Sequence, residues 1–250
     1  MDTGGKVSNV LTPQKALKQF AAKYLCADIF EHYPEARILP GYLRDHFQDA
    51  EVVLDLGFGT GLWFWASFLP ALKRLDGLDL RREALVEADR IFEEATVPEG
   101  LCKAHAAIGQ NYSREDLQEL REKRGRFFFQ DYRLPWPEEI RQTRYDLVTE
   151  HGGGLADLCG EQEFVQVFQK SAEVLKARGY MLFANFRFKH PSDLPDCPSS
   201  SEHVPLDSEL YSRAAEQAGM TVVDLQIAER PPEMPRVETF VYGYAQKRGR

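Results

Sequence analysis

From Glu51 to Gly61 the chain reads Glu-Val-Val-Leu-Asp-Leu-Gly-Phe-Gly-Thr-Gly, an apolar run that breaks into glycines at alternate positions, 57, 59 and 61. Glycines so spaced let a buried strand turn sharply into a helix, and they leave bare backbone against which a ligand can lie. The nicotinamide and flavin fingerprint needs Gly-x-Gly-x-x-Gly, and Leu62 stands where its third glycine would fall. The spacing therefore departs from that of dinucleotide binders.

Three further groups carry chemistry. Asp79 closes a second apolar run, 24 positions after Asp55. A carboxylate there can accept hydrogen bonds from a pair of ribose hydroxyls, or simply cap the helix that follows. Asp131 closes a third run in Phe-Phe-Gln-Asp-Tyr-Arg-Leu-Pro-Trp136, with Tyr132 beside it. An Asp before a proline is also a turn former. The fourth run, Tyr145-Asp-Leu-Val-Thr149, leads into Glu150-His151 and three glycines. These two are the best-placed ionisable pair: His titrates near neutral pH and could take a proton from a hydroxyl or amine, and a Glu could hold a cation. His151 beside glycines can equally cap a turn.

The stretch Asp55-Leu-Gly57-Phe-Gly59-Thr-Gly61 resembles motif I of the class I S-adenosylmethionine (SAM) dependent methyltransferases, an apolar strand followed by Asp-x-Gly-x-Gly-x-Gly. Asp131 with Leu134-Pro135, Tyr145-Asp-Leu-Val148 and Leu175-Lys-Ala-Arg-Gly179 resemble later motifs of that family, Ala177 and Arg178 replacing its usual Pro-Gly. The resemblance implies SAM as cofactor, Asp79 as the ribose acid and Asp131 as acceptor for the adenine amino group. It also implies cofactor contacts from Asp55, Gly57, Phe58, Gly59, Thr60, Gly61, Leu80, Tyr132 and Glu150, with Glu150 and His151 next to the acceptor.

These residues need strands to deliver them to one edge. Leu75 to Leu80, Arg126 to Gln130, Tyr145 to Thr149 and Tyr180 to Phe186 read as strands after the one at Glu51, with helices at Leu62 to Leu69, Arg82 to Glu94 and Phe164 to Leu175 between them. Alternating strands and helices build a parallel sheet through right-handed crossovers. Ser208 to Ala218 is a further helix, and Thr221 to Ile227 with Val237 to Ala245 form an antiparallel terminal pair. The fold expected is Rossmann-like α/β, a seven-stranded sheet of the class I methyltransferase kind, mostly parallel with the last strand antiparallel. An N-terminal helical cap over 1–50 precedes the SAM-binding α/β domain at 51–250. In the cap, Thr12-Pro13 opens a helix running to about Tyr33-Pro34, and a second segment spans Tyr42 to Phe47. Pro98 to Gly125 reads as a polar excursion, and the Pro- and Ser-rich Lys189 to Pro205 as a loop, over the ligand crevice or inert.

Composition narrows the partners. With a formal charge of −8 and 43% hydrophobic residues in 250, the chain buries a full core and repels a phosphate backbone. The basic run Arg121 to Arg126 contains its own acid and reads as a solvated helix end. The apolar stretch Leu62 to Leu72 is too short to span a bilayer, and the N-terminal residues lack the basic and apolar regions of a secretory signal. The four cysteines are scattered with no metal-ligand spacing, as expected of free buried thiols. These features lead to the expectation of a cytoplasmic enzyme acting on a small-molecule substrate, with neither nucleic acid nor membrane as partner. The function expected is methyl transfer from SAM to that acceptor. The alternative is attack on the aminobutyrate arm of SAM, for example its cyclisation to azetidine-2-carboxylate with release of methylthioadenosine.

Overall fold

The computed structural model describes residues 33–93, 97–151, 160–188, 206–229 and 237–249, with positions 18, 22, 28 and 30. Most of the helix expected from Thr12 to Tyr33 and all of the Lys189 to Pro205 loop lie outside the described residues.

The central apolar runs become strands whose two faces are both covered, so side chains of either parity find a core, whereas the edge strands at Arg124–Phe129 and Met220–Glu229 stay partly exposed. The strands are β1 (Val52–Leu56), β2 (Arg74–Asp79), β3 (Arg124–Phe129), β4 (Tyr145–His151), β5 (Leu175–Phe188), β6 (Met220–Glu229) and β7 (Val237–Lys247). They form one sheet in the order β3-β2-β1-β4-β5-β7-β6. The first five pair in parallel, and β7 runs antiparallel to both β5 and β6. The expected seven-stranded sheet with an antiparallel last strand is the one observed.

Among the described residues the helices are α1 (Pro34–His46), α2 (Leu62–Ala66), α3 (Arg82–Glu93), α4 (Glu99–Ala107), α5 (Arg114–Glu122), α6 (Glu138–Gln142), α7 (Glu161–Val174) and α8 (Ser208–Gln217). Leu39, Leu43 and Phe47 bury against Trp63, Phe64 and Phe68 on one face of the sheet, and Phe164, Phe168 and Tyr211 fill the other. None of the helices among the described residues is long and apolar enough to cross a membrane.

Several boundaries differ from expectation. The stretch 98–125 is not an excursion, because it folds into α4 and α5; α5 opens on a reciprocal cap between Ser113 and Asp116. The segment at Tyr42 belongs to the longer α1, which carries Pro40 inside it. The helix after the glycines starts at Leu62 as expected, behind a 3-10 turn over Gly59–Gly61, but stops at Ala66 rather than Leu69. Strand β5 starts at Leu175, directly after α7. Cys102, the one cysteine among the described residues, has a free thiol and is half-buried rather than buried.

Candidate functional site

Strand register brings the expected residues to one edge. Leu56 pairs with Leu78 on one side and Glu150 on the other, and Asp79 pairs with Phe129. The carboxyl ends of β1, β2, β3 and β4 are therefore level. Between β1 and β4 the connections run to opposite sides of the sheet, which is where open α/β sheets hold ligands.

The turn after β1 needs two of its glycines for their backbone. Gly57 and Gly59 sit at φ 62° and 51°, in the left-handed region that a Cβ disfavours. Gly61 keeps an ordinary φ of −91°. The Gly57 amide donates to Leu78 O at 2.7 Å and the Gly59 amide to Asp79 Oδ2 at 2.9 Å. Asp79 Oδ1 accepts from the Arg81 amide at 2.7 Å. Asp79 thus fixes the turn to the end of β2. Each carboxylate oxygen has about two lone-pair sites, so acceptor capacity remains on both. The Phe58 ring packs inward, edge-on to Phe127 at 5.3 Å, and Thr60 is buried. Leu80, by contrast, is 65% exposed at the tip of β2.

Asp131 and Tyr132 are held by a loop rather than a strand. Lys170 of α7 donates to the carbonyls of Tyr132, Arg133 and Leu134 at 3.2, 2.6 and 2.9 Å. Trp136 Nε1 donates to Tyr132 O at 2.8 Å, fastening the loop from below. A Cβ placed on Gly57 would lie 3.9 Å from the Tyr132 ring, so the glycine turn and this loop are neighbours. The Asp131 carboxylate is gripped by the Arg133 guanidinium, with Nε at 2.9 and 2.8 Å from its two oxygens. That pairing holds Asp131 below the usual carboxylate range.

The structure does not bring Glu150 and His151 together. Consecutive residues of a strand point to opposite faces, and these two do so. His151 lies on the α2 face, its ring 5.3 Å from that of Trp65 and its Nδ1 3.8 Å from Asp55 Oδ1. Asp55 is buried there and accepts from Thr149 Oγ1 at 2.7 Å. Burial, reinforced by repulsion from Glu150 and Asp79, raises its carboxyl well above the ordinary 3.8. Glu150 lies on the other face, where Oε2 accepts from Asn185 Nδ2 at 2.7 Å. Asn185 Nδ2 is also 3.4 Å from Tyr211 Oη of α8. The pair of the sequence reading is thus two separate centres. Asn185, Tyr211 and Lys170 escaped that reading; the one sequence signal for Asn185 is a lone amide in Tyr-Met-Leu-Phe-Ala-Asn-Phe.

No family model matches the sequence, and neither does any curated protein. Solved structures do match in fold. A SAM-dependent methyltransferase from Methanosarcina mazei superposes with a TM-score of 0.57 at 12% identity, over 84% of this chain and 98% of its own. An enzyme described as a SAM-dependent methyltransferase from Listeria monocytogenes gives 0.54 at 17%, over 86% and 99%. Magnesium protoporphyrin IX methyltransferase from Synechocystis, with bound S-adenosylhomocysteine (SAH), gives 0.52 at 12%, over 95% and 88%. The chain has the fold of the class I SAM-dependent methyltransferases.

Proposed function

We propose that the chain binds SAM at the glycine turn and transfers its methyl group to a small-molecule acceptor. The observation that carries this reading is the charge of the strand edge: Asp55, Asp79 and Glu150 are all buried, and close enough that the latter two raise the first. Three carboxylates around a bare backbone turn repel a pyrophosphate and suit a ligand carrying a sulfonium and an ammonium. The fold shared with SAM-dependent enzymes supports the same cofactor.

In this reading Asp79 receives the ribose hydroxyls on its free lone pairs, and exposed Leu80 covers one face of adenine. Asp131 accepts from the adenine amino group while Arg133 keeps it ionised. Gly57, Gly59 and Gly61 give room for the methionine arm beside Asp55. Bound SAM supplies an electrophilic methyl; the acceptor's lone pair forms the new bond as the C–S bond breaks and its electrons return to sulfur. Such displacement depends on in-line placement at about 3–3.5 Å more than on strong acid–base groups. His151, buried 3.8 Å from Asp55, takes the acceptor's proton. A small acceptor is favoured by the formal charge of −8, which opposes nucleic acid. The Synechocystis relative, a magnesium protoporphyrin IX methyltransferase, is named for a small acceptor.

Thermal shift measurements with SAM, SAH and NAD test the cofactor: the first two stabilise the chain and NAD does not. Incubation with SAM and pooled metabolites then yields SAH. Methylthioadenosine as the sole nucleoside product, formed without added acceptor, overturns methyl transfer in favour of attack on the arm.

A further inference from the structure

The amino-terminal edge of the sheet, opposite the glycine turn, gathers charge of the other sign. Tyr145 at the start of β4 pairs with Leu175 at the start of β5, and Met220 at the start of β6 pairs with Lys247 at the end of β7. Antiparallel β7 thereby returns Lys247 and Arg248 to the edge where β4 and β5 begin. The length of β4, Tyr145 to His151 at about 3.3 Å per residue, puts this edge about 20 Å from the glycine-turn end. A groove of about 990 Å³ lies here, lined by Arg144, Lys176, Lys247 and Arg248, with Glu173 the one acid among its described lining residues. Such a concentration of cations is unexpected in a chain of formal charge −8.

Part of it is structural. Helices α7 and α8 both end near this groove, and cations complement the partial negative charge of helix carboxyl ends. Lys247 Nζ donates to Leu175 O at 2.7 Å, and Lys176 pairs with Asp146 at 2.8 Å. Three arginines are not explained in this way. Arg144 engages only Nη1, on the Arg141 and Thr143 carbonyls at 2.8 and 3.1 Å. Arg248 engages only Nε, on Thr221 Oγ1 at 3.1 Å. Arg178 stands at the rim: it follows Ala177 of the lining, and its Nε is 3.6 Å from where a Cβ on Gly249 would lie. Among the described residues its guanidinium makes no hydrogen bond or ion pair. Arg178 is also the one residue other than glycine at positive φ among them, at 64°. A side chain is disfavoured there, so the chain holds an arginine in a conformation suited to glycine while its charge stays unpaired.

We propose that this groove binds a small phosphate ester, its phosphate held by Arg144, Arg178 and Arg248. The three arginines exceed Glu173 by two charges, which matches the roughly −1.5 to −2 of a phosphate monoester at neutral pH. A single carboxylate matches only half of that. Planar guanidinium groups meet phosphate oxygens through parallel, charge-assisted hydrogen bonds. Leu175, Ala177 and Ala218 supply an apolar wall for the organic body of the ester, in a volume of the order found at small-molecule sites. The site is independent of the SAM reading and stands or falls without it.

Calorimetric titration of the full chain at low salt with phenyl phosphate, phenyl sulfate and phenol tests the site, since the three share a body and carry charges of about −2, −1 and 0. Phenyl phosphate binds once per chain and roughly tenfold tighter than phenyl sulfate, and phenol does not bind. Arg248→Gln and Arg178→Gly each weaken phenyl phosphate roughly tenfold, the loss of a charge-assisted hydrogen bond. Arg213→Gln, on α8 outside the groove, changes it by less than about twofold. With its strain relieved, ligand-free Arg178→Gly unfolds at the urea concentration of wild type or above. An Arg178→Gly chain that unfolds earlier and binds phenyl phosphate as wild type does makes the arginine structural and overturns the site. Phenyl sulfate bound as tightly as phenyl phosphate overturns it too, as does an equal loss in Arg213→Gln, the mark of a diffuse field. Wild type that takes up no phenyl phosphate at millimolar concentration leaves no site at this edge.

Discussion

At the scale of single residues, Asp79 does two jobs that one substitution exposes separately. It accepts from the Gly59 and Arg81 amides, so it shapes the turn before any ligand arrives. Asp79→Ala leaves both amides without their acceptor, and the ligand-free chain loses about 1–3 kcal/mol in urea unfolding. Asp79→Asn keeps one acceptor oxygen and loses less stability, yet it still weakens SAH because the charge behind the ribose contacts is gone. Equal stability of Asp79→Ala and wild type would show the turn to be independent of this side chain. The positions of the glycines and Asp79 were legible in the sequence because they follow on apolar runs that end there, whereas Asp131 lies in a loop beyond the end of β3. Asn185 was not: its contact with Glu150 spans 35 residues and is created by register between β4 and β5. The separation of Glu150 from His151 follows from strand parity, but what each meets depends on helices packed from far along the chain.

At the scale of elements, Lys170 shows how a helix positions a loop that has no regular structure. Its ammonium bonds the carbonyls of Tyr132, Arg133 and Leu134, and burial lowers its affinity for a proton. Lys170→Met keeps the stem and removes those bonds. The expected result is a loss of about 1–3 kcal/mol in stability. SAH affinity falls several-fold and chiefly through faster dissociation, as Tyr132 and Asp131 lose their fixed places. Stopped-flow dissociation of SAH checks this, and an unchanged off-rate would show the loop to be held by Trp136 alone. Legibility at this scale followed hydrophobic content. The strands announced themselves as apolar runs between breakers, whereas α5 buries only Leu117 and Leu120 of its nine residues and read as loop. Its one clear sequence signal is the Ser113 to Asp116 spacing of a capping box.

At the scale of the whole molecule, an acidic chain has placed its buried acids where they repel one another, and pH becomes the probe of why. The Asp55 carboxyl is raised in the folded state by burial first, then by Glu150 and Asp79. A raised carboxyl binds its proton more tightly folded than unfolded. Its contribution to stability is therefore complete below the ordinary value of 3.8 and is lost as pH rises through the folded value. Asp55→Asn retains an acceptor for Thr149 and cannot ionise, so the variant does not share that loss. Urea unfolding across a pH series from about 4 upward should show wild type and Asp55→Asn diverging, by at most about 1.4 kcal/mol per pH unit for one proton. The variant is the more stable at neutral pH. Ligand binding carries the opposite sign: a cation beside Asp55 favours its ionised form, so SAM binding expels the proton and tightens as pH rises through the same window. Calorimetry in buffers of different ionisation enthalpy measures that proton directly. Parallel stability curves for the two chains, with no proton released on SAM binding, would mean that the acidic edge of the sheet is not tuned to a cation.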